Sequence, residues 1–223
     1  VHGTDNARCL IALALTTGQI GRNGTGLHPL RGQNNVQGAS DAGLIPMVFP
    51  DYQSVENQDI HSKYENFWNV ELDNKKGLTV VEVINKILED EIKSMYIMGE
   101  NPAMSDPDQN HARKALAKLD HLVVQDIFMT ETAWHADVIL PSSAHAEKTG
   151  TFTNTNRQVQ LGRQAVPPPG DARQDWWITQ AIAQRMGLDW SYLHPRDIFN
   201  EMAQVMPSMK NITYERLEIE DSV

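Results

Sequence analysis

The sequence predicts an α/β fold built on a parallel sheet with flanking helices. Three short apolar runs, Met95–Met98, Leu122–Val124 and Val138–Leu140, each end in small, polar or turn-forming residues. The first two are followed by segments with helical spacing, the rhythm of a strand–loop–helix crossover repeated twice. The loops Gly99-Glu100-Asn101-Pro102, Gln125-Asp126-Ile127-Phe128 and Pro141-Ser142-Ser143 then fall at the carboxyl ends of the strands. In such sheets ligands sit beyond those ends, where loops and helix N-termini present backbone N–H groups. The three loops therefore read as rims of one nucleotide pocket.

Residues 1–18 read as a loop and a helix, with Thr4 or Asp5 as cap and Ala7, Leu10, Leu13 and Ala14 as an apolar stripe. Gly18 suits the left-handed position after the last turn. Gly21-Arg22-Asn23-Gly24-Thr25-Gly26 follows a helix, not a strand, so it reads as a turn and not as a dinucleotide fingerprint. Residues 28–50 combine Arg31, Gln33, Asn34, Asn35 and Gln37 with three glycines and little periodicity. A stretch of this kind is normally functional or disordered, and its Val, Leu, Ile and Phe argue for an ordered loop passing close to a ligand. Gly32 and Gly38 would allow close backbone approach.

Residues 51–78 are mixed and polar. Thr79 and Glu82 fit a capping box, with Val80, Val83, Ile84, Ile87 and Leu88 following at helical period. Asp106-Pro107-Asp108 signals another helix start, with Ala112, Ala115, Leu116 and Leu119 facing inward. Beyond the third strand, Pro167-Pro168-Pro169-Gly170 is a rigid spacer. A helix over Asp171–Met186 should turn Trp177, Ile178, Ala181 and Ile182 inward, and a last helix from near Pro195 should bury Ile198, Phe199 and Met202. The tail, Leu217 to Val223, is acidic and offers no closing element.

The chain has 223 residues, 40% of them hydrophobic, enough for a packed core, and no run long and apolar enough to cross a bilayer. Its net charge of −10 argues against nucleic acid as a partner. The single cysteine, Cys9, excludes an internal disulfide framework or a self-contained cysteine-ligated metal site, and it reads as a buried small hydrophobe. The opening VHGTDNARCL has neither a start methionine nor a secretory leader and reads as the interior of a longer protein.

Asp126 is the sharpest single candidate for chemistry. A carboxylate at a strand's carboxyl end can accept from a guanine edge or from ribose hydroxyls, or else cap a helix at Thr130–Trp134. Arg157 and Lys148 could neutralise a pyrophosphate or form surface ion pairs. The eight histidines show no metal-binding spacing.

The segment Leu30-Arg31-Gly32-Gln33-Asn34-Asn35-Val36-Gln37-Gly38-Ala39 resembles the active-site segment of molybdenum- or tungsten-dependent formate dehydrogenases, members of the dimethyl sulfoxide reductase family. The likeness continues through Thr4-Asp5-Asn6, Gly99-Glu100-Asn101-Pro102, Gln125–Ala133, Ala136–Pro141 and Glu147-x-x-Gly150-Thr151-x-x-Asn154-x-x-Arg157. It covers nearly the whole chain. Glu131–Asp137 and Phe152–Arg157 are most similar in wording to cytoplasmic, NAD-linked α-subunits.

The resemblance implies the Rossmann-like domain of molybdopterin oxidoreductases plus part of a neighbouring domain. Residues 1–30 would be the tail of a preceding α/β domain and 31–52 an active-site linking loop. Residues 53–166 would be the α/β domain binding molybdopterin guanine dinucleotide, and 167–223 a C-terminal helical segment. It implies a Mo or W centre held by two molybdopterin guanine dinucleotides, with 4Fe-4S clusters elsewhere in the parent protein. Formate would be the substrate. The partners would be the rest of the catalytic subunit and the iron–sulfur and flavin subunits of an NAD-linked complex.

Arg31 matches the arginine that orients formate, which agrees with the fit of a guanidinium fork to a planar carboxylate. Gln33 would lie beside a pterin. Gly99, Glu100, Asn101, Asp126, Thr130 and Asp137 would line one guanine nucleotide, with Gly150, Asn154 and Arg157 also on the cofactor. The metal-ligating cysteine or selenocysteine with its histidine, and the iron–sulfur cysteines, have no match here. The resemblance thus implies an internal piece, inactive alone. Two rivals share the fold: the non-catalytic large iron–sulfur subunit of complex I, and nitrate or arsenite enzymes. The loop at 31–38 is what separates them.

Overall fold

The computed structural model describes residues 2–220 and 222–223. In chain order its helices and strands are α1 (Gly3–Thr16), α2 (Val36–Asp41), β1 (Val48–Phe49), β2 (Gln53–Ser54), α3 (Gln58–Trp68) and α4 (Val80–Leu88). Then come β3 (Ser94–Met98), α5 (Pro102–Ser105), α6 (Gln109–Leu116), β4 (His121–Asp126) and β5 (Val138–Pro141). The hairpin β6 (Gly150–Thr153) and β7 (Val159–Gly162) precedes α7 (Asp175–Arg185), α8 (Pro195–Val205) and α9 (Tyr214–Ile219).

The three apolar runs form one parallel sheet in the order β3-β4-β5. Met95 pairs with Leu122, and Val123 with Val138, so the three carboxyl ends point the same way. Because side chains alternate along a strand, β4 serves two faces. Leu122 and Val124 are buried with Ala103, Leu116 and Ala133 on the side of α5 and α6. Gln125 points the other way, where its amide donates to Asp175 at the start of α7. The helices therefore cover both faces, as the crossover rhythm requires.

The expected capping box is present: the Glu82 carboxylate accepts the Thr79 N–H at 2.7 Å, and the Thr79 hydroxyl accepts the Glu82 N–H at 3.4 Å. It aims α4 so that Ile84 and Ile87 pack on Ala112 and Ala115 of α6. A separate core holds the C-terminal helices, with Tyr64 of α3 packed among Val159, Phe199, Met206, Met209, Tyr214 and Leu217.

Several sequence expectations change. The α1 helix forms but buries none of its residues; Leu10 and Leu13 are more than half exposed and Cys9 is exposed. It begins at Gly3, so Thr4 and Asp5 lie inside the first turn and no side chain caps it. The span 28–50 is not wholly irregular, since it holds α2. The α3 helix was hidden in a polar stretch, although Asn57 caps it by accepting from Asp59 and Ile60. The start near Asp106 falls two residues later, with Asp108 accepting the His111 N–H, because the short α5 takes up the preceding residues. Trp177 is outside, while Ile178 and Ala183 are the buried residues of α7. The tail does close: α9 forms, and Val223 exchanges two backbone hydrogen bonds with Val159 of β7.

Candidate functional site

The strand tips form the first part of the site. Gly99 turns the chain out of β3 at a φ of +64°, a left-handed conformation, and its N–H donates to the Gln125 carbonyl at 2.9 Å. Asn101 is committed to building the rim. Its carbonyl accepts from the N–H and hydroxyl of Thr132, and its amide donates to Glu131 at 2.8 Å. That last bond, ahead of smaller effects, holds the exposed Glu131 carboxyl below its ordinary range. The half-buried Asp126 accepts only the neighbouring Ile127 N–H, at 2.7 Å, and caps no helix. The Thr130 hydroxyl accepts the Ala133 N–H at 3.2 Å, just ahead of the 3-10 turn Ala133–His135. Glu100 is exposed at the same rim.

The second part is a cleft of about 440 Å³ between the loop at 31–37 and the β6–β7 hairpin. Arg31, Gln33, Asn34, His145, Asn154 and Gln160 line it. Among the described residues on its walls there is one Lys or Arg, which is Arg31, and no Asp or Glu. The loop is pinned to the hairpin by Asn35, in the left-handed conformation at φ 58°, whose carbonyl accepts the Thr153 N–H at 2.9 Å. His28 adds a second tie through the Thr155 hydroxyl at 2.6 Å.

Gly38 makes the Asn35 tie feasible, since a Cβ there would stand 2.1 Å from the Asn35 carbonyl oxygen. Gly38→Ala is therefore expected to displace Asn35 and strand the Thr153 N–H. The expected loss is about 1–3 kcal/mol of stability, read by denaturant unfolding of the intact protein. An unchanged midpoint would show that Asn35 moves at no cost.

Gln33 joins the two parts, its amide donating to Glu100 at 2.9 Å. Gly150 opens β6 opposite Gly162, and Asn154 starts the hairpin turn, accepting the Arg157 N–H at 2.8 Å. Arg157, also left-handed, turns away from the cleft and sets its guanidinium 5.8 Å from the Tyr52 ring centroid. Lys148 is engaged too: it pairs with Asp175 and donates to the Ser143 carbonyl at 3.2 Å.

Asp137 is not brought to this site. It precedes β5 at the amino end of the sheet, where its carboxylate accepts the Leu122 N–H at 2.7 Å and faces His121. Its neighbour Val138 pairs with Val123 whereas Asp126 pairs with Pro141, so the two carboxylates stand at opposite ends of the strands. The single pocket expected from the sequence is thus a strand-tip rim and a separate cleft, bridged by Gln33 and Glu100. Sequence reading missed Asp41, Tyr52 and Glu131, which support these side chains; the Gln37–Asp41 spacing was the one available signal.

A three-stranded parallel sheet with helices on both faces and polar groups gathered beyond its carboxyl ends defines an α/β protein. More narrowly, the chain belongs to the molybdopterin oxidoreductase family, whose model matches residues 1–185. It is 53% identical over 98% of its length to the F420-dependent formate dehydrogenase subunit alpha of Methanocaldococcus jannaschii, and covers 32% of that protein. It is 46% identical over 97% of its length to the putative formate dehydrogenase YrhE of Bacillus subtilis, covering 22% of it. The chain thus spans about a third or less of these relatives. The solved structure of acetylene hydratase from Pelobacter acetylenicus shares the fold. Its TM-score is 0.54 at 21% identity, covering 73% of this chain and 23% of that one. Family membership implies a molybdopterin cofactor. Among the described residues no helix is long and apolar enough to cross a membrane.

Proposed function

We propose that this chain is part of the catalytic subunit of a molybdopterin-dependent formate dehydrogenase, which converts formate to CO2, a proton and two electrons. One observation carries the reading: Arg31 presents a guanidinium to a cleft whose described walls hold amides and no carboxylate. A guanidinium fork matches a planar carboxylate with two parallel N–H bonds, and the absence of wall carboxylates leaves its charge for the ligand. The names of the formate dehydrogenase relatives support the same substrate.

The donor set also suits a pterin dinucleotide. Gln33 and Asn154 offer amides that both donate and accept, as pterin ring edges require. Asp126, with an oxygen beyond its one local bond, and Glu100 suit the N–H edge of guanine or ribose hydroxyls. Gly99 and Gly150 leave open space, since an added Cβ would meet nothing within 4 Å at either. Asn101 and Thr130 hold the rim in shape, and Arg157 steadies the hairpin over Tyr52. A bound molybdopterin guanine dinucleotide would supply the Mo or W centre that takes formate's two electrons. This chain's residues would orient the carboxylate and seat one nucleotide end.

The test is formate-dependent reduction of a viologen dye by the intact anaerobic protein, together with release of GMP on acid hydrolysis of its cofactor. No dye reduction in metal-replete protein would overturn the formate reading; a cofactor that releases no GMP would overturn the guanine site alone. The 223-residue chain by itself is expected to oxidise no formate. For the electron acceptor we propose iron–sulfur and flavin subunits linked to NAD in the cytoplasm. The F420-dependent name of the 53% identical relative favours a second reading, F420 as acceptor. Reduction of one carrier but not the other by the purified complex decides.

A further inference from the structure

We propose that Asp41 is a positioning residue for Arg31, acting through the side-chain amide of Gln37. This rests on the reading of Arg31 as the formate-binding group.

Gln37 and Asp41 lie four residues apart on α2 and so share a helix face. Both are buried, at 4% and 7% exposure. The Gln37 amide nitrogen donates to Asp41 Oδ1 at 2.7 Å and to the Tyr52 hydroxyl at 3.3 Å. Its carbonyl oxygen accepts from Arg31 Nη2 at 3.3 Å. An amide has one donating and one accepting end, and the two can exchange places by a half-turn of the side chain. A carboxylate only accepts, so Asp41 fixes which end faces it. The nitrogen must point to Asp41, and the carbonyl must then point to Arg31. The reverse orientation would set NH2 against a guanidinium and a carbonyl against a carboxylate.

Asp41 itself does not line the cleft. Its effect is to hold a carbonyl against one edge of the guanidinium. That turns the opposite N–H edge to the cleft in a single orientation before any carboxylate arrives. The Arg31 to Gln37 bond is long, so it orients more than it binds. Fixing a flexible arginine in advance spares the ordering cost on binding.

The test uses the intact, cofactor-loaded enzyme. Asp41→Asn keeps the shape but lets residue 41 donate, so the Gln37 amide loses its preferred orientation. The KM for formate and the Kd for acetate, a carboxylate with no transferable hydrogen, are expected to rise about tenfold together. The kcat is expected to stay within about twofold. Gln37→Met removes the carbonyl at similar volume and should have the same effect, with no further rise when combined with Asp41→Asn. Asp41→Glu, off the cleft wall, keeps an acceptor-only carboxylate facing the Gln37 amide. Orientation is then kept, and KM should stay within about threefold of the parent.

An unchanged KM in folded Asp41→Asn, or an Asp41→Glu variant as poor as Asp41→Asn, would overturn the proposal. If Asp41→Asn fails to fold, Gln37→Met and Asp41→Glu still decide it. Failure of the underlying reading looks different: Arg31→Lys itself would then leave the KM for formate unchanged.

Discussion

Arg31→Lys is expected to lower kcat/KM for formate more than about 100-fold in the intact enzyme, the equivalent of one to two charge-assisted hydrogen bonds. Lysine keeps the charge but is a point donor on a flexible stem, without the planar fork that matches both carboxylate oxygens. It also has no fixed edge for the Gln37 carbonyl, which accepts from Arg31 Nη2 at 3.3 Å. The described cleft walls hold no second Lys or Arg to take over. Steady-state kinetics with formate over a wide concentration range, beside cofactor content, provides the check. A lysine variant with full cofactor and wild-type kcat/KM would show that formate is held elsewhere.

Tyr64→Ala is expected to destabilise the intact protein by about 3–5 kcal/mol, as for other large buried aromatics. Tyr64 is fully buried and stacks on Phe49 with ring centroids 4.3 Å apart. Its hydroxyl donates to the Pro50 carbonyl at 3.1 Å and accepts from the Gln53 amide at 2.8 Å. It therefore joins α3, the turn before β2 and the C-terminal core, and that turn carries Tyr52, against which Gln37 rests. Denaturant unfolding and the KM for formate should worsen together.

Burial first, and the nearby Asp51 carboxylate second, push the Tyr64 phenol up to about 12, against a smaller opposing effect of Gln53. The folded-state value lies above the unfolded one, so the stability it contributes is fully present below the ordinary tyrosine range near pH 10. It is lost as pH rises from there towards about 12. Tyr64→Phe should remove that part of the alkaline loss while lowering stability at neutral pH. An identical alkaline profile for Tyr64→Phe would assign the loss to other groups.

The sheet was legible because its information is local. Each of the three runs is apolar, of strand length and closed by turn residues, and the Thr79–Glu82 box is written in adjacent residues. What was not legible depends on partners far along the chain. Nothing local says that α1 keeps its stripe outside, because amphipathic spacing specifies a face and not what covers it. Arg31 and the amide loop stood out by composition, but only the fold reveals that the cleft's other wall is the β6–β7 hairpin. Asp137 lies away from the strand-tip rim for a geometric reason. It borders an apolar strand like Asp126, yet it precedes its strand where Asp126 ends one, and in a parallel sheet that difference is the whole length of the ladder.

One chain of side chains spans the distance between rim and cleft on the α7 face. The Tyr96 hydroxyl donates to Gln125, whose amide donates to Asp175 at 2.7 Å, and Asp175 pairs with Lys148 two residues before β6. Gln125 immediately precedes Asp126, and Lys148 leads into the strand that walls the cleft. In the seating proposed above, the strut would set the spacing between a nucleotide head at Asp126 and a reactive tail beside Arg31. A two-ended guest therefore meets a gauge already cut to one length, and cofactors shortened by a nucleotide should rattle in it.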